Sequence, residues 1–407
     1  MGSLVITDVQ VFDIRSGVLR DGPISIRDGV IVSVGADFDK GADTDSGPDR
    51  ISGSGGTVIP GLIDCHCHAY GISLDGAWIE SRERSYVALV AAQRLGAALR
   101  RGFTTVRDVA GGDPGLAAAI AEGLLPAPRY LYTGPALSQT GGHGDPRSVD
   151  EATCGCAAAH AVGGIGSEVV DGVDALRTAV RDRFRRGAHA IKIMASGGVM
   201  SLTDPIRYAQ YSADEIRAVT EEADRRGSYV CAHAYSPEAI RHAVTNGVHS
   251  IEHGNLLDAD TAEVMAEHGA VLVPTLATYD AMGRLGTEIG MNPVSLAKNA
   301  EVLDHGRRAI ELARIAGVPV GFGTDLMGEL EREQLNGLRL QTEVDGVVAA
   351  LQSATLVNAT IIGRDDLGVV EPGAVADLVI LPGDVLANPA ILWGPERTVI
   401  QAGRVVP

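Results

Sequence analysis

Between Val58 and Gly363 the chain repeats one unit, a short apolar run followed by a loop and then an amphipathic stretch that ends at glycine. The apolar runs fall at 58–68, 104–109, 129–134, 190–196, 229–235, 250–254, 271–276 and 319–325, eight in all. Helical spacing of apolar residues marks 84–101, 174–186, 212–226, 236–246, 258–268 and 296–316. Ser212, Ser236 and Asp258 stand where helix N-caps belong, and Gly187, Gly227, Gly247, Gly269 and Gly317 follow the last turns. Strands that alternate with helices build a parallel sheet covered by those helices. Eight such units over about 300 residues predict an α/β fold of the (β/α)8 TIM-type barrel class. A doubly wound open sheet competes, but no Gly-x-Gly-x-x-Gly turn opens the first helix.

The two ends of the chain are patterned differently. Residues 4–12 and 23–34 alternate apolar and polar around Asp28-Gly29, and 376–381 and 398–406 do so again near the other end. Alternation of this kind gives short antiparallel strands with one solvated face. The ends therefore pair into a small β-sandwich with the barrel inserted between them, dividing the chain into 1–57, 58–365 and 366–407. One connection breaks the rhythm: 135–172 is rich in Gly, Ser, His, Asp and Cys, and loops of this length in compact domains usually carry function. Its place after the third strand sets it over the catalytic face of a barrel.

Composition limits the partners. With 34 basic and 52 acidic residues the net charge is −18, which repels a phosphate backbone, so nucleic acid is not expected. No apolar run reaches the ~18 residues of a membrane span, and Met1, Gly2, Ser3 and Leu4 do not begin an export signal. A cytoplasmic protein is expected. Ile6 stands where a myristoylation signal wants Ser or Thr. The five cysteines, Cys65, Cys67, Cys154, Cys156 and Cys231, are an odd number without an export signal, which points to reduced thiols. Cys154, Cys156 and His160 offer three zinc-type ligands at unusual spacing, and a plain loop or buried thiol role is the preferred reading.

Chemistry gathers at the strand ends. His66 and His68 are two residues apart at the end of the first barrel strand, so both imidazoles project to one side, with Cys65 and Cys67 on the other. Lys192, flanked by Ile191 and Ile193, points into the barrel. A buried ammonium is costly, so Lys192 is either paired with a barrel carboxylate or carboxylated by carbon dioxide into a carbamate able to bridge two metals. His233, His253 and Asp325 end later strands. Ligand-type side chains from five strand ends fit an active site assembled at the C-terminal face.

These residues carry a resemblance. Segment 58–68 (VIPGLIDCHCH), with Lys192, His233, His253 and Asp325, resembles the amidohydrolase superfamily, whose binuclear members use these ligand types in this order. Segments 102–108 (GFTTVRD), 139–145 (QTGGHGD), 192–201 (KIMASGGVMS), 233–235 (HAY) and 250–254 (SIEHG) are similar to its prolidase-like branch. That branch includes metal-dependent dipeptidases and carboxypeptidases releasing Pro, Arg or Lys, and relatives that cleave N-acyl amino acids such as ochratoxin. The resemblance implies two divalent metals, expected to be zinc. His66, His68 and Asp325 would hold the more buried one, His233 and His253 the more exposed one, and carboxylated Lys192 would bridge them.

It further implies hydrolysis of a dipeptide or N-acyl amino acid by metal-activated hydroxide, with Asp325 moving the proton to the leaving amine. His143 becomes a candidate for polarising the scissile carbonyl or gripping the substrate carboxylate, against a plain role in stabilising its own Gly-rich turn. Tyr235 is a second candidate for the carboxylate or the developing oxyanion, against a cap on the barrel rim. Val199 and Met200 are expected to line the substrate site, and a homo-oligomer is expected. Two other readings compete: hydrolysis of a cyclic amide or amidine, imidazolonepropionase-like or deaminase-like, and a non-catalytic scaffold. Mononuclear members typically lack the bridging lysine and a scaffold would have lost ligands, whereas this chain retains the whole set.

Overall fold

The computed structural model describes residues 2–35, 49–147, 165–202 and 204–407. The chain opens with β1 (Ser3–Asp13), β2 (Val18–Asp21), β3 (Ile24–Arg27), β4 (Val30–Val34) and β5 (Asp49–Pro60). Asp28 and Gly29 both take positive φ, 52° and 83°, the pair a tight β3–β4 hairpin requires. The middle contributes β6 (Leu62–Cys67), β7 (Phe103–Asp108), β8 (Arg129–Tyr132), β9 (Ala136–Ser138), β10 (Ser167–Val169), β11 (Ile191–Met194), β12 (Val230–Ala234), β13 (Ser250–His253) and β14 (Val271–Val273). Last come β15 (Leu378–Leu381), β16 (Thr398–Gln401) and β17 (Arg404–Val405).

The two chain ends do meet. Their strands hydrogen-bond in the order β17-β16-β15-β5-β1-β3-β4, with β2 on β1. The join is β15 against β5, Leu378 opposite Pro60. One expectation is corrected: β5 runs parallel to β1, so the sheet is mixed rather than antiparallel. Alternation along a strand says which face a side chain takes, not which way its neighbour runs.

The middle strands form two parallel sheets, β6-β7-β8 and β10-β9-β11-β12-β13-β14. Backbone hydrogen bonds tie these together, His189 N to Tyr132 O at 2.8 Å on one side, then Gly321 N to Leu272 O at 2.8 Å and Cys65 N to Phe322 O at 3.0 Å on the other. The run 319–325 contributes a single bridge, Val320 to Leu272, rather than a full strand. Close approach explains its glycines, since a Cβ on Gly323 would fall 2.5 Å from that of His66.

Apolar strand residues facing outward, Ile191, Ile193, Ala232, Ile251 and Leu272, pack on Leu176, Ile216, Ile240 and Ile310 of the surrounding helices. Burial of such side chains stabilises by roughly 1.5–3 kcal/mol each, ample to fix the strand positions. The helices begin where their caps were read. Ser212 and Glu215 form a reciprocal capping box on Ala213–Asp224, and the side chains of Ser236 and Asp258 accept from Ala239 N and Thr261 N. One expected loop holds regular structure. Strands β9 and β10 lie within 135–172, and a helix, Leu276–Leu285, follows β14 where the sequence pattern marked none.

The helical run Gly328–Ile361 is long and apolar enough by length and composition to cross a membrane, which corrects the expectation that no such stretch exists. It is broken at Gly346, where φ is 84°, and Leu338, Leu340 and Leu351 are buried within the protein.

At the end of the strands opposite the histidine cluster, His189 packs edge-on to Tyr229 with centroids 5.8 Å apart, and Tyr229 packs edge-on to His249 at 5.6 Å. Burial, reinforced by the Arg107 charge, pulls His189 from 6.5 to about 4. Unfolded chains therefore bind more protons between these values, so stability should fall as pH drops from 6.5 toward 4. Urea midpoints measured across that window should show a shallower slope in His189→Gln. Identical slopes would remove His189 as the cause.

Candidate functional site

Five of the six expected metal ligands converge through direct contacts. The ligand atoms of His66, His68 and Asp325 all lie within 4.8 Å of one another. Asp325 Oδ1 is 2.8 Å from His68 Nε2 and 3.4 Å from His66 Nε2. The His253 ring lies 4.8 Å from that of His66 and 4.5 Å from that of His233, which joins the two halves of the set. Lys192 is 2% exposed, and burial pulls its ammonium pKa down against the pull of Glu252 and Asp325. Among the described residues no carboxylate comes within ion-pair distance of Lys192, so the paired-lysine reading finds no partner there.

Adjacent residues on a strand point to opposite faces, yet Glu252 and His253 both reach the centre. The backbone shows how. His253 takes φ 74° and Asp325 φ 55°, left-handed values that side chains with a Cβ rarely adopt, and each turns its residue out of the alternation. Thr275, at φ 47°, is a third such residue and places its hydroxyl 2.8 Å from His253 Nδ1. Three of the eight non-glycine residues with positive φ among the described residues thus meet at one place, and strain of this kind persists where surrounding structure holds it, as at functional sites.

A buried frame orients the imidazoles. Glu252 Oε2 accepts from His66 Nδ1 at 2.7 Å, which leaves His66 Nε2 turned toward Asp325. Glu252 Oε1 accepts from Arg107 Nη2 at 2.7 Å and from Ser250 Oγ at 2.6 Å. Burial opposes charge on Glu252, but Arg107 and the His66 hydrogen bond outweigh it and hold the carboxyl well below its usual range. Asp64 accepts from His66 N and Thr324 N, both at 3.1 Å, fixing the end of β6 to the segment that carries Asp325. Burial, with the nearby His143 charge, keeps His233 well below the ordinary imidazole value, so neutral rings suited to a metal are favoured. Burial likewise opposes charge on Asp325, yet His66 and the hydrogen bonds from His66 and His68 keep it ionised.

His143 stacks on His233 with centroids 4.3 Å apart. Its ring Nδ1 is 2.8 Å from Ser201 Oγ, and its backbone N donates to Gln210 Oε1 at 3.0 Å. The ring thus lies against His233, Ser201 and the Gly198 backbone. Tyr235 stacks on His253 at 5.2 Å, and its hydroxyl is 2.7 Å from that of Tyr279, which is also 2.7 Å from His253 Nδ1. Val199 and Met200 join an apolar cluster with Tyr235, Leu256, Leu326 and Leu330 beside these rings. Cys154, Cys156 and His160 lie outside the described residues, while Cys65, Cys67 and Cys231 are free thiols.

Sequence reasoning missed the groups behind the candidate ligands: Glu252, Arg107, Thr275 and Tyr279. A charged pair at inward strand positions of a barrel, Arg107 with Glu252, was the one available signal.

The model of the Amidohydrolase family matches residues 57–406. The chain belongs to the amidohydrolase family. Ochratoxinase from Aspergillus niger is 32% identical over 329 residues, 75% of this chain, and the match spans 65% of that enzyme's length. A prolidase crystallised with N-methylphosphonate-L-proline is 43% identical, with TM-score 0.93 and coverage of 99% of both chains. A Xaa-Pro dipeptidase with methionine bound in its active site is 29% identical, with TM-score 0.87 and the same coverage.

Proposed function

We propose that this amidohydrolase is binuclear and releases the C-terminal residue of dipeptides or N-acyl amino acids. The domain reading that goes with it is a closed (β/α)8 barrel, 58–365, inserted into a β-sandwich of 1–57 and 366–407. Hydrogen bonds on both sides of the two parallel sheets support that closure. The observation that carries the function is the meeting of His66, His68 and Asp325 with His253 and His233 above a buried Lys192 that has no ion pair among the described residues.

The donor set fits two divalent ions: His66, His68 and Asp325 for one, His233 and His253 for the other, carboxylated Lys192 between them. Such a pair, when bound, supplies a hydroxide nucleophile at neutral pH and polarises the scissile carbonyl. The protein's own groups do the rest. Asp325, with Oδ1 2.8 Å from His68 Nε2 and 3.4 Å from His66 Nε2, would take a proton from the nucleophile and hand it to the leaving amine. His143 and Tyr235 flank the ligand rings and are set to hold the substrate carboxylate or the developing oxyanion. The likeness to the prolidase and the Xaa-Pro dipeptidase supports a substrate with a free carboxylate beside the scissile amide.

The test is a hydrolysis screen of dipeptides and N-acyl amino acids varied at the C-terminal residue, with metal content measured on the same sample. Chelation should abolish activity and zinc restore it, at two ions per chain. Amidating the C-terminus of a good substrate removes a charge-assisted partner and should cost ~1.5–3 kcal/mol, about one to two decades in kcat/KM. Equal cleavage of acid and amide would move the cyclic-amide reading ahead.

A further inference from the structure

We propose that Lys298 is a positioning residue for substrate recognition, its ammonium fixing the loop after β11 and, through that loop, the imidazole of His143. The inference rests on the reading of His143 as a substrate-binding group. Lys298 belongs to the helix Pro293–Ile315, whose Val302 packs in one cluster with Val199 and Tyr235. Its Nζ donates to three carbonyl oxygens of one loop, Gly198 at 2.9 Å, Ser201 at 2.7 Å and Asp204 at 2.8 Å. An ammonium has three N–H donors, so all three are committed to this loop. Among the described residues no carboxylate pairs with it, and these bonds help offset the ordering of so flexible a side chain.

Two routes lead from the held loop to His143. Ser201 Oγ is 2.8 Å from His143 Nδ1. Asp204 Oδ2 accepts from Gln210 Nε2 at 3.1 Å, and Gln210 Oε1 accepts from His143 N at 3.0 Å. Contact reinforces both. A Cβ on Gly198 would lie 2.1 Å from the His143 ring, so the loop backbone rests directly against the imidazole. His143 in turn stacks on His233. A shift of the loop therefore moves the imidazole relative to the metal-ligand cluster, and misplacement of a binding group by about 1 Å can cost 10²-fold.

The test compares Lys298→Met, which keeps the length of the stem, with wild type in the full-length protein. Amide hydrogen exchange should accelerate at 198–202 and 141–144 while the strands β6, β12 and β13 keep their protection. Metal content should be unchanged. With an N-acyl amino acid, KM should rise about tenfold and kcat change far less, because the groups at the reacting bond stay in place. A second variant, Ser201→Ala, cuts the link to His143 but leaves the clamp, so KM should rise without faster exchange at the loop. The exchange measurement needs no substrate, so local loss of protection supports the clamp even if no dipeptide or N-acyl amino acid is cleaved, and only the reading of substrate class then falls. Accelerated exchange throughout the barrel would make Lys298 a general stabilising residue and overturn the proposal. Unchanged exchange and unchanged KM in Lys298→Met would overturn it as well.

Discussion

On the binuclear reading proposed above, Lys192→Ala is expected to lower kcat/KM by about three decades or more and to reduce bound metal below two ions per chain, since it removes the group that would bridge them. Lys192 is 2% exposed and lies among Glu252, Asp325 and Arg107, yet no carboxylate among the described residues is close enough to pair with it. A bare ammonium in such a place is destabilising by several kcal/mol. A carbamate facing two cations is not. The two forms predict opposite signs in separate measurements. In metal-free protein, Lys192→Met keeps the stem and removes a buried charge, so stability to urea should hold or rise. In metal-loaded protein the same substitution should lower both metal affinity and stability, because bound metal stabilises the fold by mass action. Short carboxylic acids should partly restore activity to Lys192→Ala by occupying the vacated position. An alanine variant with full activity and unchanged metal content would return Lys192 to an ordinary barrel lysine.

The candidate ligand residues were legible because strand-end position and residue type travel together in the sequence. His66 and His68 are separated by two, which is the strand period, and each of Lys192, His233, His253 and Asp325 sits within or just after an apolar run. What the period could not show is that His253 and Asp325 leave it. Their left-handed backbone lets Glu252 and His253 serve the same centre, one as an orienting carboxylate and the other as a candidate ligand. The helix Leu276–Leu285 was hidden for a related reason. It follows Pro274 and Thr275, read as the end of a strand, and its N-cap Thr275 is itself left-handed and makes no side-chain cap. With that helix went Tyr279. Lys298 was invisible in another way, because a lysine on an amphipathic helix reads as solvated unless the carbonyls it meets are known. The parallel pairing of β1 with β5 depends on where the chain returns, which no local pattern encodes.

Glu252→Gln should be the most damaging isosteric change in the fold, costing about 3–5 kcal/mol in urea unfolding. Arg107 and Glu252 have no exposed side-chain surface, and their bond of 2.7 Å is the only ion pair among the described residues with both side chains wholly buried. A carboxylate has two accepting oxygens, and here Oε2 faces His66 Nδ1 while Oε1 faces Arg107 Nη2 and Ser250 Oγ. Glutamine has one. Whichever way its amide is turned, an N–H₂ group confronts a donor, either at Arg107 or at His66. If the amide oxygen faces Arg107, His66 loses the partner that fixes its tautomer, and metal affinity should fall 10- to 100-fold, about the usual effect of removing such a support. If it faces His66, the guanidinium is left buried and unpaired, and the cost appears in stability instead. Arg107→Met should show the second outcome alone, destabilising by a similar amount with a smaller change in metal binding. Combining the two substitutions removes both charges at once, so the double variant should be more stable than the sum of the singles predicts. Strict additivity would mean that the two charges do not act as a pair, and His66 would then owe its orientation to Asp64 and the backbone of β6.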